Sequence, residues 1–155
     1  RYPRGSAHQG LREYQAPVEY GRSEIIRKGK KIAVLGVGSM IPSCMEICKG
    51  LKDDGYDPTF VNARFVKPLD VDLLDELAKD HSLFVTVEEN VKSGGYGEHV
   101  SAYMEACHPE IRVLSAAVWD RFVPQGNVES LRSRIGLGVE DIRQAIEDSE
   151  ELREQ

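Results

Sequence analysis

The stretch KIAVLGVGSMIPSCMEICKGL, Lys31 to Leu51, holds two periods back to back. Ile32 to Val37 is a compact apolar run of strand length. After Gly36-Val37-Gly38, the residues Ile41, Cys44, Cys48 and Leu51 recur at three- and four-residue intervals and predict the apolar face of a helix. Ser39 is expected to cap that helix, Pro42 fits its first turn, and Gly55 ends it in the left-handed conformation that glycine tolerates. A strand running through Gly-x-Gly into a helix opens many α/β domains, including those that hold dinucleotides.

The dinucleotide fingerprint asks for more than this turn. Its third glycine, which lets helix and strand pack closely, is Ile41 here. The acid that would hold a ribose, about twenty residues on, should fall near Asn62 to Arg64, where the sequence is Asn-Ala-Arg. An arginine there suits a 2′-phosphate, so a nucleotide-binding module stays open beside the plainer reading, a strand-to-helix turn.

The alternation continues outward. Ser23 to Val37 predicts two strands joined as a hairpin at Lys28-Gly29. TFVNARFV, Thr59 to Val66, reads as a strand broken by Pro68, and Asp70 caps a helix carrying Leu73, Leu74, Leu77 and Ala78. LFVTV, Leu83 to Val87, is an uninterrupted apolar strand suited to a sheet covered on both faces. The glycine-rich Val91–Gly97 leads into a helix with Val100, Tyr103, Met104 and Cys107 inward. IRVLSAAV, Ile111 to Val118, is the last strand. One short helix follows with Val128, Leu131 and Ile135, and another with Val139, Ile142 and Ile146. Strands alternating with helices predict a three-layer α/β/α sandwich around a mixed, mostly parallel five-stranded sheet. The first twenty residues, with Pro3, Gly5, Gly10 and Pro17, read as a linker, and residues 150–155 as a tail.

Composition narrows the function. Of 155 residues, 41% are apolar and 30% charged, the mix of a globular domain with a real core. No apolar stretch reaches the roughly 20 residues of a membrane span. The net charge is −6, although the first 31 residues carry eight Arg or Lys against three Glu. The acidic remainder argues against nucleic-acid binding. Three cysteines without a secretory signal predict a reducing, cytoplasmic setting, and Cys44 and Cys48 read as core residues. The chain opens on Arg1, which suggests a piece of something longer.

No hydrolytic motif or phosphate-binding Gly-Lys-Ser/Thr loop is present in the sequence. His8, His81, His99 and His108 lack metal-ligand spacing. His81 and His108 follow helices, where a partly charged imidazole suits the dipole. Glu88 and Glu89 end a buried strand and must point to opposite faces, so they are no acid–base pair. One of them is expected to satisfy backbone amides in the glycine-rich loop.

Four stretches taken together are more specific: RYPRG (Arg1–Gly5), ARFVKPLD (Ala63–Asp70), VTVEEN with GGYGEHV (Val85–Val100), and DRFVPQG (Asp120–Gly126). Their order and spacing resemble the C-terminal end of the 1-deoxy-D-xylulose-5-phosphate synthases, in the transketolase superfamily. The resemblance implies that residues 21–149 form a transketolase C-terminal domain and residues 1–20 the end of a preceding pyrimidine-binding domain. It implies a homodimeric thiamine diphosphate and Mg2+ enzyme whose substrates are pyruvate and glyceraldehyde 3-phosphate. It also places Arg4 on the acceptor phosphate, where a guanidinium fork matches the oxygens. The family's catalytic glutamate, cofactor motifs and metal ligands match nothing here, so the resemblance implies an inactive fragment that binds no cofactor itself. Glu88, Tyr96 and Arg121 are the implied contacts to the missing domains or a second subunit. A two-oxoacid dehydrogenase beta-subunit domain is the alternative within the superfamily.

Overall fold

The computed structural model describes residues 8–14 and 16–149. Five strands, β1 (Glu24–Arg27), β2 (Lys31–Gly36), β3 (Thr59–Asn62), β4 (His81–Val91) and β5 (Arg112–Val118), form one sheet in the order β1-β3-β2-β4-β5. β2 to β5 are parallel; β1 runs antiparallel to β3.

Side-chain alternation on β2 and β4 divides the core in two. Ile32, Val34, Leu83, Val85 and Val87 face α1 (Ile41–Asp53) and α5 (Val139–Glu147). Ala33, Leu35 and Phe84 face α2 (Val71–Ala78) and α3 (Tyr96–Cys107). The result is the expected α/β/α sandwich. Cys44 and Cys48 lie in the first half, where burial pushes both thiols up, Cys48 to about 12. Asp70 caps α2 by accepting from Leu73 N, and Gly55 ends α1 at φ 93°.

The expected hairpin does not form. β3 lies between β1 and β2, because the Lys28–Lys30 link is held by the chain entering β3. Gly29 N donates to Thr59 Oγ1 at 2.9 Å and Lys30 N to the Asp57 carbonyl at 2.6 Å. A side chain at Gly29 would collide with that carbonyl. The strand expected over residues 59–66 ends at Asn62, since Arg64 turns left-handed at φ 56°. Ser39 caps nothing: a short 3-10 turn, Gly38–Met40, precedes α1, and the Ser39 hydroxyl is engaged elsewhere. Cys107, expected inward, is exposed at the end of α3.

Burial biases His81 toward its neutral form rather than the partly charged one expected. Its Nδ1 lies 2.8 Å from the Leu77 carbonyl and its Nε2 2.7 Å from Thr59 Oγ1. Desolvation holds the imidazole below its ordinary value of 6.5. Its contribution to stability is therefore fully present above the unfolded value and lost as pH falls through the depressed folded one. Chemical denaturation should show stability declining as pH falls below about 6.5, and His81→Gln should remove that component of the slope.

Candidate functional site at the carboxyl edge of the sheet

In open α/β sheets the crevice opens where strand order reverses, outside the carboxyl ends of the strands. Here the chain leaves β2 toward β3 and returns to β4 on the other side, so the crevice lies between the ends of β2 and β4. Gly36–Gly38 form one wall and Glu88–Glu89 the other.

Glu88 and Glu89 do point to opposite faces. Glu88, 2% exposed, lies on the α3 side and accepts from Tyr96 N at 3.0 Å and Gly97 N at 2.8 Å. It thereby closes the glycine-rich loop onto the first turn of α3, where free N–H groups and the helix dipole favour an anion. Glu89 crosses the crevice instead. Its Oε2 accepts from Ser39 Oγ at 2.7 Å and its Oε1 from Arg132 Nε at 2.9 Å. The arginine, with the serine's help, holds the Glu89 carboxyl below the usual carboxylate range. This bridge ties α4 (Val128–Arg134) across the crevice.

α4 lacks the buried face the sequence suggests. None of its residues is buried, and Val128 is 55% exposed. The segment before it carries Trp119 at 57% and Phe122 fully exposed, with the Lys92 ammonium 5.3 Å from the Trp119 ring centroid. This apolar patch lies just beyond β5, beside and within the Asp120–Gly126 stretch that holds Arg121. The structure places the expected contact residues unequally. Tyr96 (3% exposed) and Glu88 lie inside the domain, and Arg121 stands in the exposed segment. Arg4 lies outside the described residues.

The glycine turn is filled by its own helix. A side chain at Gly36 would meet Cys44 Sγ at 2.8 Å and Ile41 Cδ1 at 2.9 Å, whereas Gly38, at φ 55°, faces open space. Gly36→Ala should cost about 1–2 kcal/mol by urea denaturation, as both neighbours are side-chain ends that give way. Among the described residues no group of three His, Cys, Asp or Glu could hold a metal ion, and no helix is long and apolar enough to cross a membrane. At this edge the Glu88 carboxylate is engaged by backbone amides and that of Glu89 by Ser39 and Arg132, so neither is free for a magnesium-bound diphosphate.

The family described as "Transketolase, C-terminal domain" matches residues 21–142. This chain belongs to the transketolase C-terminal domain family. Among curated proteins, it is 39% identical over 92% of its length to the 1-deoxy-D-xylulose-5-phosphate synthase of Lachnoclostridium phytofermentans, and covers 23% of that protein. The match to the synthase of Dictyoglomus thermophilum is also 39%, over 94% of this chain and 24% of that one. The chain thus spans about a quarter of the length of these relatives. Among solved structures, a split-gene transketolase described as an inactive beta4 tetramer matches 87% of this chain and 44% of its own, with TM-score 0.80 and 29% identity. The transketolase of Campylobacter jejuni shares the fold of this transketolase C-terminal domain at TM-score 0.58 and 18% identity, over 83% of this chain and 19% of its own.

Proposed function

We propose that this transketolase C-terminal domain belongs to a thiamine diphosphate-dependent synthase that condenses pyruvate with glyceraldehyde 3-phosphate to 1-deoxy-D-xylulose 5-phosphate and CO2. Such a reaction serves isoprenoid, thiamine and pyridoxal biosynthesis in the cytoplasm. One observation carries the choice of reaction: identity is 39% to the synthases and 29% to the split-gene transketolase.

In this reading thiamine diphosphate and Mg2+ are bound by other domains of a homodimeric full-length enzyme. This domain supports them without activity of its own. Arg4 holds the acceptor phosphate through its planar fork of donors. Arg121, with exposed Trp119 and Phe122, faces the other domains or the second subunit. Glu88 and Tyr96 act on that face from within, by fixing the loop behind it.

Calorimetric titration of thiamine diphosphate with Mg2+ tests the assignment. Binding by a full-length synthase carrying this domain, and none by residues 1–155 alone, is the expected result. A well-folded full-length protein that binds neither, or that turns over pyruvate only with a lipoyl acceptor, would sink it. Arg121→Ala is expected to weaken dimerisation and lower turnover; no change in either would remove Arg121 from the contact face.

A further inference from the structure

Among the described residues, the exposed large apolar side chains fall in two groups. Val91, Trp119, Phe122, Val123 and Val128 lie on the β4–β5 flank already described. Val18, Tyr20, Val66 and Val71 stand on the opposite flank, where the chain enters the domain and where it leaves β3. Val18 is 70% exposed and Tyr20 82%, yet neither belongs to a loose segment.

The polar groups beneath this second group fix it. Arg64 donates to the carbonyls of Pro17 at 3.2 Å and Ala16 at 3.3 Å. The Tyr20 ring meets that of Phe65 edge-on, with centroids 5.7 Å apart. Pro68 fills the space beside Gly21, which turns left-handed at φ 71°. Asp70 accepts from Ser23 N at 2.7 Å and from Arg22 Nη1 at 3.0 Å, while Ser23 Oγ donates to the Ala63 carbonyl at 3.0 Å. Farther back, Leu11 packs against the half of the core under α1 and α5. Residues 16–23 are thus strapped along residues 63–70, and the four apolar side chains are neighbours on a fixed surface.

We infer that this strap face seats the domain that precedes this one in the same chain. The inference rests on the synthase reading, in which further domains stand before this one; the chain spans about a quarter of the length of its relatives. Two observations choose that occupant over a second copy. The incoming chain itself builds part of the face, so the preceding domain is delivered to it. The size of the face agrees. Four side chains exposed to these degrees offer on the order of 400 Å2, a patch of the extent that marks a functional surface. Counting both sides gives about 800 Å2, within the roughly 600–1,500 Å2 of contacts between domains of one chain. Separate proteins that bind stably bury about 1,600 Å2, twice as much. A domain joined through the chain is held at high local concentration and needs no larger contact.

Hydrogen exchange tests the seat by comparing residues 1–155 alone with a full-length synthase carrying this domain. Amides of residues 18–20 and 66–67 are expected to exchange about tenfold more slowly in the full-length protein. Tyr20→Ser should return residues 66–67 to the fast exchange of the isolated chain. Val18→Ser should act in the same direction while leaving the urea midpoint of residues 1–155 unchanged, which separates lost docking from a loosened strap. Equal exchange in the two proteins, or protection that neither variant reduces, would overturn the seat. A dimer of residues 1–155 in sedimentation, protected at these residues and broken by Tyr20→Ser, would give the face to a second copy and overturn the same-chain occupant. Protection in a full-length protein that binds no thiamine diphosphate would leave the seat standing and sink the synthase reading. Equal exchange in one that does bind it would remove the seat alone.

Discussion

Glu88→Ala is expected to destabilise the domain by about 3–5 kcal/mol, measured as a fall in the urea midpoint at unchanged slope. Two buried backbone donors, Tyr96 N and Gly97 N, share the one carboxylate. Truncation leaves both without an acceptor, at about 1–3 kcal/mol each, and removes the anion from the helix N-terminus. Water cannot easily replace the carboxylate, for Glu88 is 2% exposed and a Cβ at Gly95 would already stand 2.5 Å from its Oε1. Glu88→Gln, which keeps one acceptor oxygen, should fall between alanine and wild type. Hydrogen exchange at residues 94–98 should accelerate first in both. A cost below about 1 kcal/mol for the alanine variant would mean that the loop holds itself, and Glu88 would lose its place behind the carboxyl edge.

That role for Glu88 was partly legible in the sequence. Period two on a strand forces neighbouring carboxylates apart, so a shared acid–base site was excluded before any coordinates. The glycine-rich loop after them marked a backbone in need of an acceptor. The α/β/α sandwich was legible for similar reasons: continuous apolar strands, capped amphipathic helices such as α2 with Asp70, and glycine where α1 must stop. What failed depended on contacts distant in sequence. Lys28-Gly29 has the chemistry of a hairpin turn, yet the Asp57 carbonyl and Thr59 hydroxyl hold it against β3. Ser39 has the chemistry of a cap, yet Glu89, fifty residues away, takes its hydroxyl. Tyr96 sits in a loop motif and reads as surface, but as the first residue of α3 it turns into the core beside Val100 and Met104. Burial also pushes its phenol up, so it stays protonated throughout the working range.

The second large effect is expected at Gly97, one residue beyond Tyr96. Gly97→Ala should cost about 2–4 kcal/mol, near the upper end for one added methyl. A Cβ there would stand 2.5 Å from Thr86 Oγ1 and 3.1 Å from Ser115 Cβ, and closer still to Ser115 Oγ. Thr86 and Ser115 are cross-strand neighbours in the middle of β4 and β5, so neither backbone can retreat. The helix must lift instead, and lifting it draws Gly97 N away from Glu88. Both hydroxyls are buried without a hydrogen-bond partner among the described residues, so their removal carries little cost of its own. The clash can therefore be isolated: Gly97→Ala combined with Ser115→Ala and Thr86→Ala should recover at least half of the loss that the three single changes sum to. Strict additivity would show that α3 tolerates the methyl by another route and that close helix–sheet approach is not what glycine provides here. Recovery would tie the glycine-rich loop, the buried Glu88 and the seat of α3 into one unit, the unit on which the exposed face around Arg121 and Trp119 rests.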